Sequence, residues 1–175
     1  GYYISTEEKL EQVIPYNNLP SKELPIVQND AFKEGEILSY RLHYGAMDAG
    51  VILMEVKPEV LEVSGRKVYH IVGNGYSKGT FDWFFKVRDR YESYIDTATM
   101  QPLKFVRNVN EGGYKKYQNI TFNKTANTAV ATDGVFKVPA CVQDVVSAMY
   151  YARNIDFSKL QPEDKIPFSM FLDNE

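Results

Sequence analysis

The chain has 175 residues, of which 44% are hydrophobic and 25% are charged, and its formal net charge is −3. These values are typical of one globular domain with its own core, and because Lys and Arg never run longer than two residues we expect no nucleic-acid partner. The single cysteine, Cys141, excludes an intrachain disulfide framework and a multi-cysteine zinc site, and no apolar run is long enough to cross a bilayer.

Residues 1–30 are predicted to form an extended N-terminal arm, separate from a domain that spans residues 31–175. Prolines and scattered charges interrupt the arm, and Pro15 ends its short helical pattern. Such an arm either holds the domain away from an anchor point or packs on the surface of the domain. The chain starts at Gly1 rather than at a methionine, so removal of a leader or a tag is an open alternative.

From Gly35 onward, apolar residues alternate with polar ones, which indicates β-strands. In the first strand Leu38, Tyr40 and Leu42 share one face, and the glycine-containing stretch 44–50 joins this strand to the next. Short turns separate successive strands, so neighbours must be antiparallel, because parallel strands need long crossovers. The predicted strands are 36–44, 50–56, 67–76, 79–87, 90–96, 103–109, 114–122 and 126–132. The fold class is therefore mainly β, a large curved antiparallel meander that forms a half-barrel or an open barrel.

One segment has helical periodicity instead. Between residues 139 and 155, Val142, Val146 and Met149 recur at helical spacing, which predicts one amphipathic helix near residues 141–154. A single amphipathic helix beside a curved sheet buries its apolar face against the concave side. Two compatible roles follow for this helix, which either completes the core or forms one wall of a ligand cavity.

Residues 166–172 are predicted to form a last apolar strand shortly before the chain ends. A terminal strand needs a partner on each side or a cover, so we expect an open edge or pairing with another molecule. We also expect the domain to be truncated at its C-terminus, so that closure of the barrel depends on chain beyond residue 175.

No catalytic or metal-binding pattern stands out among the polar residues. His43 and His70 are the two histidines, and we expect them to be exposed or hydrogen-bonded rather than to bind a metal with Glu55 or Asp82. The acidic residues between 82 and 96 alternate with arginines, which is typical of cross-strand ion pairs on a hydrated face. These acids are Asp82, Asp89, Glu92 and Asp96. We therefore expect a protein that is not an enzyme and that needs no cofactor and no metal.

Aromatic residues are abundant, with 13 tyrosines and 10 phenylalanines, and such residues favour strands. Many of them fall on the predicted sheet, where they form either a large core or a concave pocket for an apolar or sugar-like ligand. The candidates for the lining of such a pocket are Tyr40, Phe81, Trp83, Phe85, Tyr94 and Met149.

Four stretches carry a resemblance to a known family: residues 35–56, 87–96, 101–123 and 144–153. The matching positions are Gly35, Glu36, Tyr40, Gly45, Ala49, Gly50, Asp89, Arg90, Ser93, Pro102, Phe105, Arg107, Gly112, Gly113, Phe122, Asp144, Ser147, Ala148, Tyr150 and Arg153. In order and spacing they resemble an exported bacterial family, with Bacteroides-type members, that is catalogued only as a domain of unknown function.

The resemblance implies a cell-envelope protein with a YmcC-like half-barrel, similar in shape to lipoprotein carriers. It implies a periplasmic or outer-membrane-associated location and brings no assigned catalytic residues. The leading expectation is a non-enzymatic protein that binds a hydrophobic ligand or aids envelope assembly, with lipid or another envelope protein as partner. One alternative is an interaction module that captures a partner on an exposed edge strand. Another is a glycan-acting enzyme, which needs two acids facing each other in a cleft.

Overall fold

Alternating residues form nine strands in the structure, a computed structural model that describes residues 24–173. The strands are β1 (Ile37–Tyr44), β2 (Met47–Val56), β3 (Leu61–Val63), β4 (Arg66–Ser77), β5 (Arg88–Asp96), β6 (Pro102–Glu111), β7 (Tyr114–Asn123), β8 (Thr128–Ala131) and β9 (Gly134–Lys137). The helices are α1 (Gly79–Phe84), α2 (Val145–Ala152) and a short 3-10 helix (Phe157–Lys159). The fold is mainly β, which confirms the predicted class.

The strands form one antiparallel sheet whose order is β1-β2-β4-β5-β6-β7-β8-β9, with β3 paired to β4. Each strand pairs with its neighbour along the chain, apart from the short excursion through β3, so the predicted meander is confirmed. The sheet is open rather than a closed barrel, and in the described part of the chain its edges are β1 and β9. The two-residue turn Gly45–Ala46 joins β1 to β2, at the start of the stretch that the sequence assigned to this connection.

One face of the sheet carries the core and α2, and we call it the inner face. A row of paired positions crosses this face from Val56 through Ile71, Ser93 and Phe105 to Ile120. All five are fully buried, because the inner-face residues of neighbouring antiparallel strands stand side by side and exclude water together.

The helix α2 is fixed to the sheet at its N-terminal end. Asp144 is its N-cap and forms a capping box with Ser147, and the carboxylate also accepts a 2.6 Å hydrogen bond from the Ser93 hydroxyl in the middle of β5. Buried Val146 and Tyr150 face the core. The helix α2 is shorter than the predicted 141–154, because the residues just before Asp144 form a turn and an isolated bridge instead of helix.

The C-terminal end of α2 is held by a second contact. Arg153 donates two hydrogen bonds to the carboxylate of Glu36, at 2.6 Å and 2.8 Å, which joins the helix to the start of β1. Its guanidinium lies over the rings of Phe32 and Tyr150, at 5.5 Å and 5.1 Å from the ring centres. Arginine suits this position better than lysine, because its planar guanidinium donates two hydrogen bonds to one carboxylate and also stacks on aromatic rings.

The prediction of a strand at 79–87 is wrong, because residues 79–84 form the helix α1. Gly79 has φ +55°, a left-handed conformation that ends β4 and starts the reversal. Asp82 then accepts hydrogen bonds from the Ser77 hydroxyl at 2.5 Å and from Arg88 at 2.6 Å, which ties the two ends of the connection together. The alternation of Phe81, Trp83 and Phe85 therefore does not reflect a strand face.

The prediction of a terminal strand at 166–172 is also wrong. This segment makes a single parallel bridge, between Met170 and Gln143 just before α2. The Gln143 backbone N–H donates to the carbonyl of Ser169 at 2.8 Å, and the Phe171 N–H donates to the carbonyl of Gln143 at 2.9 Å. Phe171 is buried against Phe122 and Phe136, so the segment is anchored by one side chain in the core instead of a sheet edge.

The predicted arm falls largely on residues 1–23, which lie outside the described residues. Its last part packs on the domain: Leu24 is buried, and the Val27 N–H donates to the carbonyl of Ala98 at 2.9 Å. Among residues 24–173, no helix is both long and apolar enough to span a membrane.

Candidate ligand-binding cavity

A cavity of about 590 Å³ lies between the inner face of the sheet and the first turns of α2, at the end of the sheet where α1 and the β1–β2 hairpin meet. We call it the end cavity. Its walls are mostly apolar side chains from the strands, from both helices and from the C-terminal segment. These are Leu42, Ile52, Met54, Phe81, Val87, Val145, Val146, Met149 and Leu172.

Three glycines line the end cavity on the sheet side. Gly50, Gly73 and Gly75 all lie on the inner face and line it. A Cβ on Gly50 would approach the carbonyl oxygen of Tyr76 to 2.7 Å, and one on Gly73 would lie 2.8 Å from the sulfur of Met54. A Cβ on Gly75 meets only the Cβ of Asp89, at 3.9 Å. Gly75 therefore faces open space, whereas the other two are required by close neighbours.

One end of the cavity is polar. Asp89 and Tyr91 on β5 and Arg107 and Glu111 on β6 all contribute to its lining. A hydrogen bond with Asp89 raises the pKa of Glu111, and partial burial acts in the same direction, while the positive charge of Arg107 opposes the shift. Asp89 also accepts a 2.9 Å hydrogen bond from the backbone N–H of Asn110, which holds its carboxylate against β6.

The guanidinium of Arg107 is buried, with 7% of its side chain exposed. Its Nη2 donates to the carboxylate of Asp173, which Lys116 also contacts. Its Nε has no hydrogen-bond partner among residues 24–173. An unpaired buried donor on a charged group is costly, and this atom has no accessible surface, so it lies inside the protein rather than on the wall of the cavity.

The structure brings two of the six pocket candidates into the end cavity. Phe81 enters it from α1 and Met149 from α2. Tyr40 and Phe85 are exposed and do not line the cavity. Trp83 is 81% exposed on the solvent side of α1, because residues 81 and 83 of a helix do not share a face. Tyr94 lies on the outer face of the sheet, stacked on His70 at 4.4 Å.

His70 and most of the acids have partners away from the cavity. His70 Nε2 lies 2.7 Å from the carboxylate of Glu92, whereas His43 is exposed at the cavity rim. Three of the acids form ion pairs, Asp82 with Arg88, Glu92 with Arg90 and Asp96 with Arg66, but only the last pair joins two strands as expected. Within residues 24–173, no group of three or more histidine, cysteine, aspartate or glutamate side chains is placed to hold a metal ion.

The polar end of the cavity was missed by sequence reasoning, and a signal for it was present. Arg107 shares its strand face with Phe105 and Val109, both of which are buried. A charged residue on the apolar face of a strand is unusual unless it has a partner or a function. Glu111 lies two positions beyond Val109 on the same face, so the alternation of β6 alone placed an Arg and a Glu toward the interior.

Two more ionisable groups are buried beyond the cavity. Burial raises the pKa of Asp144 to about 6, although hydrogen bonds from Ser93 and Ser147 oppose the shift. Burial lowers the pKa of Lys124 to about 7, and its amine donates to the carbonyl of Val142 at 3.1 Å. Both groups stabilise backbone near the start of α2 and lie outside the lining of the end cavity.

Comparison with protein families gives one match. The family model described as "Protein of unknown function (DUF3108)" matches residues 39–175, which is most of the chain. The resemblance of the sequence to an uncharacterised family is thereby confirmed, whereas export, a YmcC-like shape and a Bacteroides-type origin stay predictions. No curated protein and no solved structure matches the chain.

Proposed function

For this chain, which belongs to the DUF3108 family of proteins of unknown function, we propose a non-enzymatic role in binding an amphipathic ligand whose apolar chain occupies the end cavity. The observation that carries the proposal is a cavity of about 590 Å³ with apolar walls and one polar end. Small-molecule sites have volumes of roughly 300–1,000 Å³, with mostly apolar walls and a few polar groups that fix orientation.

Gly75, one of the three glycines that line the end cavity, supports this proposal. Gly75 lies near the end of the 12-residue strand β4, where a Cβ meets only the Cβ of Asp89 at 3.9 Å, and we expect a larger side chain there to add stability by filling the space. Natural proteins keep a void of this size at the expense of stability, which is expected where the void is used.

Titration of the full chain with an uncharged fluorescent apolar probe, N-phenyl-1-naphthylamine, tests this function. We expect saturable binding of one probe per chain, displaced by a dodecyl-chain amphiphile. The matched pair is Gly75→Val, which fills the cavity, and Asn74→Val, which adds the same side chain on the outer face of the same strand. Absence of probe binding, or equal binding by the two variants, counts decisively against the proposal.

We also propose that the protein is exported and acts in the periplasm or at the outer membrane. The support is the family resemblance of the sequence, together with a ligand class that is abundant in the envelope. Cell fractionation of the natural host, with an antibody against the domain, tests it, and a signal confined to the cytosol would overturn it.

A second candidate function is capture of a partner chain on an edge strand. The observation that favours it is the open sheet, since β1 pairs on one side with β2 and, within residues 24–173, has no strand on its other side. Pull-down from envelope extract with an Arg41→Pro variant as control distinguishes the two, because Arg41 lies in β1 and does not line the end cavity. A carrier yields lipid, whereas an edge-strand module yields a protein that the proline variant fails to retain.

A further inference from the structure

We propose that the end of the sheet where the end cavity lies docks on a lipid bilayer with anionic headgroups, and that Trp83 and Phe84 insert among the lipids. This goes beyond the proposed function and does not depend on it, because contact with a bilayer and occupation of the end cavity are separate events. Five exposed side chains carry the proposal, and we call them the apolar tip: Tyr44, Met47, Trp83, Phe84 and Tyr114.

The topology of the sheet brings the apolar tip together. Successive connections of an antiparallel meander alternate between its two ends, so the β1–β2 turn, the α1 connection and the β6–β7 turn lie at the same end. Two backbone hydrogen bonds join them: the Lys78 N–H donates to the carbonyl of Ala49 on β2 at 3.0 Å, and the Gly112 N–H donates to the carbonyl of Lys86 at 2.8 Å. Apolar residues that are far apart along the chain are therefore gathered at one end of the molecule.

The helix α1 is held so that two aromatic residues point into solvent. Phe81 lines the end cavity, and the ring of Phe85 lies against the β6–β7 turn, where a Cβ on Gly112 would overlap it. Phe81 and Phe85 are four residues apart and share the side of α1 that faces the protein. On the other side, Trp83 is 81% exposed and Phe84 is 73% exposed. Adjacent aromatic side chains at this exposure are unfavourable in water unless something covers them.

The opposite end of the sheet lacks such a tip. Its connections are residues 57–60, 64–65, 97–101 and 124–127, and they contain no aromatic residue. Within these four connections, Val60 is the one large apolar side chain that is exposed. The end cavity lies at the other end, because both Tyr44 and Phe81 line it. A bilayer that covers the apolar tip therefore also adjoins the end cavity.

The charges around the apolar tip fit an anionic surface. Three exposed lysines lie beside it, two of them flanking α1 and one following Tyr114: Lys78, Lys86 and Lys115. Asp48 is an exposed acid nearby, whereas Asp82 is paired with Arg88 at 2.6 Å. Aromatic residues with neighbouring lysines are typical of proteins that bind the surface of anionic membranes.

The shape of the apolar tip favours a bilayer over a protein partner. Trp83 and Phe84 protrude from a short helix and do not line a groove. A fluid bilayer accepts protruding side chains without a matching pocket, which a folded partner would have to provide.

Trp83 is the single tryptophan of the 175-residue chain, so tryptophan fluorescence reports on the apolar tip alone. The test mixes the full chain with phosphatidylcholine vesicles, with or without phosphatidylglycerol, and measures co-flotation and emission. We expect anionic vesicles to be bound at least about tenfold more tightly than neutral ones, since each lysine near an anionic surface contributes roughly fivefold. The emission should move to shorter wavelength and be quenched by lipids brominated on their acyl chains. Absence of binding to anionic vesicles, equal affinity for both kinds of vesicle, or binding that leaves the emission unchanged overturns the proposal.

A pair of aromatic variants tests the insertion. Phe84→Ser removes a ring from the apolar tip, and Phe157→Ser makes the same change at an exposed residue beyond the C-terminus of α2. We expect Phe84→Ser to weaken vesicle binding at least about tenfold, because burial of a phenylalanine changes an equilibrium by that factor or more. Phe157→Ser should leave it unchanged. Equal binding by the two variants, both with the unfolding midpoint of the wild type, refutes insertion at α1.

A pair of charge variants tests the orientation. The double variant Lys78→Gln with Lys86→Gln should lose most of the preference for anionic vesicles. Lys33→Gln with Lys67→Gln makes the same change in charge at the opposite end, where β1 and β4 begin, and should keep it. Equal losses in the two double variants would overturn the docking orientation. Binding of N-phenyl-1-naphthylamine without vesicles measures the cavity function separately, because none of the substituted residues lines the end cavity.

Discussion

Replacing Gly75 with valine tests whether the space beside this glycine in the end cavity is used to bind a ligand. Gly75 lies in β4 with ordinary strand backbone, opposite Ile52 on one side and Asp89 on the other. A Cβ at this position meets only the Cβ of Asp89, at 3.9 Å, which is an ordinary contact, so we expect the methyl groups of valine to project into the end cavity. The variant therefore fills space that a ligand would use and leaves the strand in place.

The expected changes have opposite signs for binding and for stability. Valine adds three carbon atoms, which displace about three methylene groups of a bound chain at roughly 0.8 kcal/mol each. The binding free energy should weaken by about 2 kcal/mol, or roughly thirtyfold in Kd. The free protein should gain about 1 kcal/mol, because glycine is unfavourable inside a strand and the added methyl groups pack on apolar walls, and its Tm should rise by roughly 2–4 °C.

The assay is calorimetric titration with dodecyl maltoside, combined with thermal unfolding in the absence of ligand. Asn74→Val is the matched control, because it places the same side chain on the outer face one residue earlier and should leave Kd unchanged. Loss of binding with lower stability would mean that the strand had been distorted rather than the cavity filled. Unchanged binding in the Gly75 variant would refute the assignment of the end cavity as the site.

Three further predictions concern stability. Asp144→Asn should remove a decrease in stability that the wild type shows between about pH 4 and 6. The folded pKa of about 6 lies above the unfolded value, so the wild type loses up to about 3 kcal/mol of its free energy of unfolding as pH rises through this window. Urea unfolding at stepped pH measures it, and the same pH dependence in wild type and variant would contradict it. Lys124→Met should abolish an increase in stability that the wild type shows between about pH 7 and 10. The folded pKa of Lys124 is about 7 and lies below the unfolded value, so in this window only the unfolded state holds the proton. The same urea measurement applies, and an equal increase in the variant would refute the prediction. Gly112→Ala should cost more free energy of unfolding than Gly113→Ala, by about 1 kcal/mol or more, since both residues have positive φ but a Cβ at 112 alone would overlap the Phe85 ring; equal losses in chemical denaturation would contradict that contact.

Local patterns in the sequence determined most of the sheet. Alternation and short turns gave the meander, because in such a sheet each strand pairs with its neighbour along the chain and no long-range choice of partner is needed. The same rule failed at residues 79–87. There the aromatic residues alternate as in a strand, but the direction of the backbone is set by Gly79 and by the contacts of Asp82 with Ser77 and Arg88.

The candidate site was harder to predict than the sheet. Its depth depends on Gly50, Gly73 and Gly75, which lie on two strands and meet only once the register of β2 against β4 is known. The aromatic candidates were selected for bulk, yet Trp83 and Tyr94 point away from the cavity. Space in a sheet arises where side chains are missing, so composition is a poor guide to it and register is a good one.

Two contacts that hold α2 on the sheet limit the ways in which a ligand could enter the end cavity. The Asp144–Ser93 contact holds one end of the helix to the middle of the sheet, and the Arg153–Glu36 pair holds the other end to β1. Because the helix is fixed at both ends, a ligand would reach the end cavity past lining side chains such as Tyr44 and Phe81 rather than by movement of α2. If a ligand binds in this way, hydrogen exchange of the α2 amides should be the same with and without it, because side-chain rotations at the cavity wall do not open the helix.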